Sequence, residues 1–218
     1  MEQIKPYKKS FDYSYTLGAF PTIELIKNTP EQVCQVIISP ELEDRAIISE
    51  LCDQYRIPLV ESKKQIERLS DKENVYIIGV FRKFEKELSK TASHIVLVNP
   101  SNMGNLGTII RTAIGFGIHD IALIEPAADI YNPKTVRSAM GSLFRVKVTR
   151  VSDLLKYIEA MHSFGRRVFA AELSASAKPL GEIKLTKWDA VIKIFEKLGT
   201  VIKIEHRTPA KTAKLLVS

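Results

Sequence analysis

The sequence predicts an α/β protein of two units: a small alternating α/β domain over residues 1–87 and a larger domain over residues 92–218 built on a mostly parallel sheet. Three observations predict this. Short apolar runs alternate with amphipathic helical patterns along the chain. In the second unit those runs are continuous rather than alternating, as in strands buried on both faces. Charge divides with them: residues 1–90 hold 14 Lys+Arg against 15 Asp+Glu, and residues 91–218 hold 18 against 10, so the net charge of +7 comes from the second part. A chain of 218 residues, 45% hydrophobic and 26% charged, has the composition of a globular protein and excludes a disordered or collagen-like one.

In the first unit, Ala19–Lys27 has helical spacing and Gln35–Ile38 is a short strand ended by Pro40. Ala46, Ile47, Leu51 and Cys52 give Glu43–Tyr55 an apolar helical face. Ile57–Val60 is a second strand, Ser62–Leu69 a helix and Val75–Phe81 a third strand. The charge-rich stretch Phe84–Thr91 is the candidate linker.

The second unit opens with strand Ile95–Val98, followed by a glycine-rich turn, Asn99–Gly107. A helix runs from about Leu106 to Phe116, with Gly117 as its stop. Asp120–Ile124 is a strand, Pro133–Met140 a helix opened by proline, and Arg145–Val148 a strand. Ser152 caps a helix reaching Ser163. Arg167–Leu173, Asp189–Phe195 and Thr200–Glu205 complete the strands.

Other classes are set aside at this stage. The longest apolar runs, such as His94–Pro100 and Ile118–Pro126, fall well short of the roughly 20 residues that span a bilayer, and no membrane association is expected. No apolar region follows the lysine-rich Met1–Ser10, so a secretory signal is not expected. Cys34 and Cys52 have no metal spacing and read as buried small hydrophobes in a reducing cytoplasm. No metal site is expected. The basic second half suits a polyanion such as nucleic acid, or a solubilising lysine surface.

Two stretches carry chemistry. Asn99-Pro-Ser-Asn-Met-Gly-Asn-Leu-Gly-Thr-Ile-Ile-Arg111-Thr-Ala-Ile-Gly-Phe-Gly117 is a turn that tolerates unusual dihedrals and close backbone approach, and it feeds a helix. Gly104 and Gly107 lack the dinucleotide register. Arg111 has apolar neighbours in Ile109, Ile110, Ala113 and Ile114. It either meets an anion or partner near a buried face or snorkels over the helix. The second stretch is Asn132-Pro-Lys-Thr-Val-Arg137-Ser-Ala-Met-Gly-Ser-Leu-Phe-Arg145. Lys134, Arg137 and Arg145 interleave with small residues such as Ser138, as phosphate contacts require, or they are the charged outer positions of an ordinary helix.

Together these stretches resemble motifs one and two of the SpoU (TrmH-type) RNA ribose 2′-O-methyltransferases of the SPOUT superfamily. Asn105 and Arg111 match N-x-x-x-x-x-R, followed by Phe116-Gly117. Arg137, Gly141, Phe144 and Arg145 stand at the spacing of R-x-S-x-G-x-x-F-R. Tyr15-Thr-Leu-Gly18 and Ile78-Gly79-Val80 are similar to the opening and closing signatures of the small substrate-binding domain that often precedes the catalytic one.

The resemblance implies a SPOUT-like domain with a trefoil knot and methyl transfer from S-adenosylmethionine to rRNA or tRNA. It also implies a cytoplasmic homodimer. Asn105 and Arg111 would be catalytic, and Lys134, Arg137, Ser138 and Arg145 would hold RNA. Ala171, Glu172, Leu173, Gly199, Ile202 and Ile204 would hold the cofactor. Motif three departs from the family: residues 186–218 contain neither G-N-E-G nor S-L-N, and Phe195-Glu-Lys-Leu-Gly199 stands where the first should be. An incomplete knot, weak cofactor binding and poor order over residues 206–218 are therefore expected. The alternative is a catalytically inactive RNA-binding relative. His119 and His162 read as surface or packing residues and Trp188 as packing at the sheet edge. Lys184, Lys187, Lys193, Lys197 and Lys203 read as a solvated face or a continuation of the RNA surface.

Overall fold

The computed structural model describes residues 4–171 and 190–194, together with 182, 184, 202–203 and 216–217. Two compact units emerge, and they do not follow chain order. One comprises Met1–Phe84, Met103–Thr112 and Asp129–Arg145, the other Glu85–Asn102, Ala113–Ala128 and Val146–Ser218. The first division falls at Phe84, and the leading unit also takes Met103–Thr112 of the first motif-bearing stretch and Asp129–Arg145, which holds the second.

In that unit, β1 (Tyr13–Tyr15), β2 (Val33–Ile38), β3 (Leu59–Glu61) and β4 (Ile77–Arg82) form a sheet in the order β1-β4-β2-β3. β2 and β3 are parallel, and β4 is antiparallel to β1 and β2. Strand alternation explains the layering. Val36, Ile38 and Ile77 face Ile26 of α1 (Ala19–Asn28) and Ile48 and Leu51 of α2 (Ala46–Tyr55). Ile37, Ile78 and Val80 face Ile66 and Leu69 of α3 (Lys63–Leu69). Both faces of the sheet are therefore covered. Gly79 leaves room for α1: a Cβ there would come within 2.9 Å of Leu25, Thr16 and Thr22 side chains.

In the second unit, β5 (His94–Val98), β6 (Asp120–Ile124), β7 (Lys147–Val151), β8 (Val168–Ala171) and β9 (Ala190–Ile194) form an all-parallel sheet in the order β7-β6-β5-β9-β8. Helix α4 (Met103–Gly115) follows β5 and stops at Gly117, whose φ of +74° suits glycine. Helix α5 (Pro133–Ser138) belongs to the first unit. Helix α6 (Leu154–Ser163) lays Leu154, Tyr157, Ile158 and Met161 on Val96, Val98, Ala122 and Ile124. A short antiparallel pair, β10 (Ile202–Lys203) and β11 (Leu216–Val217), lies in the C-terminal region.

Several expectations are corrected. Asp153, not Ser152, caps α6, accepting from the Leu155 and Lys156 amides. Cys52 is buried, but Cys34 is exposed because it falls at the bulge where the β2–β4 register shifts between Val33 and Gln35. The stretch proposed as a linker is tied to the second unit. Leu88 packs on its core, the Lys86 carbonyl accepts from Thr149 and the Ser89 amide donates to Asp120. Strand β1 was not anticipated. The expectations for the knot, for Trp188 and for the order of residues 206–218 lie outside the described residues.

Candidate functional site

The site is assembled in the first unit by a close approach at Gly107. A Cβ there would stand 2.0 Å from Ser138 Oγ, 2.5 Å from the Thr135 carbonyl and 2.8 Å from the Ala139 amide nitrogen. Two of those atoms are backbone, so only glycine lets α4 lie this close to α5. Gly107, which lies inside α4 and not in the expected turn, thus lets the helix carrying Asn105 and Arg111 pack against the helix carrying Lys134, Arg137 and Ser138.

The segment around α5 is in turn wound onto the small domain. Asn132 caps α5 by accepting from the Lys134 amide, with Pro133 in the first helical position. Thr135 Oγ1 donates to the Asp129 carbonyl at 2.9 Å. Ser14 Oγ donates to the Tyr131 carbonyl at 2.5 Å, and the Tyr7 hydroxyl donates to the Asp129 carboxylate. Phe144 is buried edge-on to Phe81 of β4, with centroids 5.1 Å apart. Arg137 and Arg145 are therefore held at fixed positions relative to the small sheet.

Lys134, Arg137 and Arg145 are all exposed. Lys134 and Arg137 form no ion pair among the described residues. Ser138 stands apart from them. It is half-buried, and its Oγ lies 3.0 Å from the Lys134 carbonyl, 3.1 Å from that of Thr135 and 3.4 Å from that of Met103. Its hydroxyl is engaged in the α4–α5 contact.

Asn105 and Arg111 both reach solvent. Leu106, Ile110, Ala113 and Ile114 turn inward, so the apolar neighbours of Arg111 are buried while Arg111 itself lies on the open side of α4. It makes no hydrogen bond or ion pair among the described residues. Six residues of helix rotate by about 600°, so Asn105 and Arg111 leave the axis roughly a third of a turn apart and about 9 Å along it. They flank a surface and do not stack in one stripe. His119 and His162 are exposed, and Lys184 is exposed too.

In the second unit, the parallel register aligns the carboxyl ends of β5, β9 and β8 at Val98, Ile194 and Ala171. Open parallel sheets bind ligands at that edge. Of the expected cofactor residues, Ala171 ends β8 there, in register with Lys193 of β9, and Ile202 lies in β10 opposite Val217. Glu172, Leu173, Gly199 and Ile204 lie outside the described residues.

At the opposite, amino-terminal edge of this sheet is a polar cluster that the sequence did not reveal. His94, Asp120, Tyr157 and Arg166 are all buried. His94 Nε2 lies 2.7 Å from the Ser89 carbonyl and so donates to it, leaving Nδ1 to accept from the Tyr157 hydroxyl at 2.8 Å. An Arg166 guanidinium nitrogen lies 3.1 Å from the ring, and a second donates to the Ala92 carbonyl. Burial, reinforced by Arg166, pushes the His94 pKa down, and burial pushes that of Tyr157 up. Among the described residues, no group of three or more His, Cys, Asp or Glu side chains could hold a metal, and no helix is long and apolar enough to cross a membrane.

The fold and site define a parallel-sheet α/β domain preceded by a small α/β domain that shares its motif-bearing segments. Residues 92–197 match the SpoU rRNA methylase family. It is 29% identical over 184 residues to the 23S rRNA (guanosine(2553)-2′-O)-methyltransferase RlmP of Bacillus subtilis, covering 79% of this chain and 73% of that protein. It is 38% identical over 74 residues to a 23S rRNA (uridine(2479)-2′-O)-methyltransferase of Streptomyces viridochromogenes, covering 33% of this chain and 26% of that one. Its fold is similar to the crystal structure of the SpoU methyltransferase AviRb from Streptomyces viridochromogenes in complex with AdoMet. The TM-score is 0.71 at 19% identity, over 85% of this chain and 75% of the other.

Proposed function

We propose that this chain transfers a methyl group from S-adenosylmethionine to a ribose 2′-hydroxyl of ribosomal or transfer RNA, in the cytoplasm and as a homodimer. The observation that carries the reading is the junction at Gly107, which joins the Asn105–Arg111 helix, within the residues that match the SpoU family, to the helix bearing Lys134 and Arg137. Exposed cations that form no ion pair among the described residues, beside a family catalytic motif, are suited to RNA phosphates.

When bound, S-adenosylmethionine would supply an electrophilic methyl group on a sulfonium, with S-adenosylhomocysteine as the leaving group. The chain's own residues position the RNA and stabilise charge. Lys134, Arg137 and Arg145 hold phosphates, and Ser138 keeps their helix in place. Arg111 faces the ribose oxygen as it turns anionic. Because a guanidinium stays protonated, Arg111 supplies charge and orientation and does not act as a base. Asn105 orients the ribose with its amide. Ala171, Glu172, Leu173, Gly199, Ile202 and Ile204 would hold the cofactor, and the aligned strand ends at Ala171 and Ile194 fit such a ligand.

The test is tritiated methyl incorporation into bulk RNA, with circular dichroism as the folding control. Arg111→Ala should lower incorporation by about a hundredfold or more while the fold persists. Full activity in the variant would remove the role assigned to Arg111. No incorporation by the unmodified chain, with RNA still bound, would favour the inactive RNA-binding relative. Because no G-N-E-G or S-L-N element occurs in residues 186–218, a calorimetric titration should show weak cofactor binding. Tight binding would point to Glu196 and Gly199 as a diverged motif three.

A further inference from the structure

The first unit contains an open cleft of about 370 Å³ bounded by the N-terminal arm, the end of α3 and the start of α5. Its walls include Tyr7, Tyr15, Leu17 and Leu69. Cations rim it: Lys72 from the loop after α3, and Lys134 and Arg137 from α5, all exposed. One carboxylate, Asp71, also lines it, is exposed and makes no hydrogen bond or ion pair among the described residues.

We propose that this cleft seats one unpaired guanine nucleotide of the RNA, away from the nucleotide that is methylated. The proposal rests on the RNA reading above and deepens it.

The volume lies near the lower end of the range for small-molecule sites, about 300–1,000 Å³, so it accommodates a single base with its sugar and excludes a helix. RNA is read by sequence chiefly where bases are unstacked and can lie on aromatic side chains. Tyr7 is built as such a wall. Its hydroxyl donates to Asp129, its amide donates to the Tyr15 hydroxyl at 3.3 Å, and Lys83 Nζ lies 4.7 Å from its ring centroid. A ring held by its hydroxyl and by Lys83 over one face loses little freedom when a base stacks on the other.

The charges set polarity and preference. Asp71 repels a phosphate, whereas Lys134 and Arg137 attract one, so the backbone runs along the α5 rim and the base turns toward Asp71. An ionised carboxylate only accepts hydrogen bonds. Guanine is the base whose Watson–Crick edge offers two adjacent donors, the imino N–H and the exocyclic amine, to both oxygens. Adenine and cytosine offer one donor beside an acceptor, and uracil places its imino N–H between two carbonyls. The lack of any ion pair from Asp71 to the neighbouring cations keeps both oxygens available.

The test is fluorescence anisotropy of the full-length chain with three labelled RNA heptamers, UUUGUUU, UUUAUUU and UUUUUUU, at about 50 mM salt, where phosphate contacts are strong. UUUGUUU should bind about tenfold tighter than the other two. Asp71→Asn should bring the three within about twofold of one another, and Tyr7→Leu should weaken all three. Equal affinities in the unmodified chain would overturn the proposal, as would a guanine preference that survives Asp71→Asn. Binding of bulk RNA without any heptamer binding would overturn the cleft alone. Binding of no RNA at all would overturn the RNA reading with it. Thermal melts of both variants serve as folding controls.

Discussion

Arg137 and Arg166 are the same residue in two regions that use it oppositely. Arg137 stands on a helix whose segment is fixed to the small domain through Asp129, Tyr131 and Phe144, with its guanidinium in solvent and in no ion pair among the described residues. Arg166 is buried at the amino-terminal edge of the parallel sheet, where the His94 ring and the Ala92 carbonyl surround its guanidinium. Position 137 is rigid in its backbone but leaves its charge for something outside the chain. At position 166 the charge is consumed internally and ties the segment around Ser89 to the sheet. Neither the residue type nor its neighbours in sequence distinguish these roles. Burial and partners do.

The largest break in the comparison should come from Arg166→Ala. It removes a charge-assisted hydrogen bond, leaves the Ala92 carbonyl short of a donor, and opens a cavity. The expected loss is about 2–4 kcal/mol, read from urea denaturation. A loss below about 0.5 kcal/mol, the size of an ordinary surface substitution, would mean the cluster is solvated and not structural.

Gly107→Ala comes next. The added methyl meets the Thr135 carbonyl and the Ala139 amide nitrogen, which side-chain rotation cannot relieve. Overpacking of this kind costs about 1–3 kcal/mol, and separating α4 from α5 should also lower methyl transfer. Wild-type stability together with wild-type activity would show that the two helices need not touch as described.

A smaller effect follows from His94. Burial and Arg166 push its pKa below the ordinary histidine value, against partial opposition from the Ser89 carbonyl and Asp120, with Lys147 also disfavouring the charged form. The unfolded chain therefore binds the proton more readily. The stabilising contribution is fully present above the unfolded value of about 6.5 and is lost as pH falls from there toward the folded value. The urea midpoint should be lower at about pH 5.5 than at about pH 7.5, and His94→Gln should flatten that difference. An unchanged slope in the variant would assign the acid sensitivity to other groups.

Much of this organisation was legible in the sequence, for identifiable reasons. Ile95–Val98 and Asp120–Ile124 read as strands because a parallel strand covered on both faces is apolar throughout. Asn132-Pro133 announced a capped helix, and Gly117 announced the end of α4. Motif spacing singled out Asn105, Arg111, Lys134 and Arg137 as candidates, and the structure brings their helices together. Other features depended on long-range contacts that no local pattern encodes. The membership of Asp129–Arg145 in the leading unit follows from Phe144 meeting Phe81 and from Ser14 reaching Tyr131. Strand β1 is three residues long and pairs only with β4, so its short YSY pattern carried no periodicity. The exposure of Cys34 reflects a bulge, and the His94 cluster joins residues from four separate segments. Asp71 sat unnoticed because an acidic residue in a loop after a helix is unremarkable until the cleft around it is seen.

The smallest expected effect on stability, and the one that sharpens the comparison most, is at Arg137. Arg137→Ala should change unfolding free energy by no more than about 0.5 kcal/mol, since the guanidinium makes no ion pair among the described residues and its backbone position is fixed by Asn132 and Thr135. Its effect on RNA should be distinct. A residue that neutralises one phosphate contributes about one unit to the slope of log affinity against log salt. The variant should therefore bind RNA more weakly at low salt, across sequences, and with a slope shallower by about one unit. Arg166→Ala, measured under conditions where it remains folded, should leave that slope unchanged. If instead Arg137→Ala lowers stability and leaves the salt slope intact, its charge is consumed within the protein, and the contrast between the two arginines disappears.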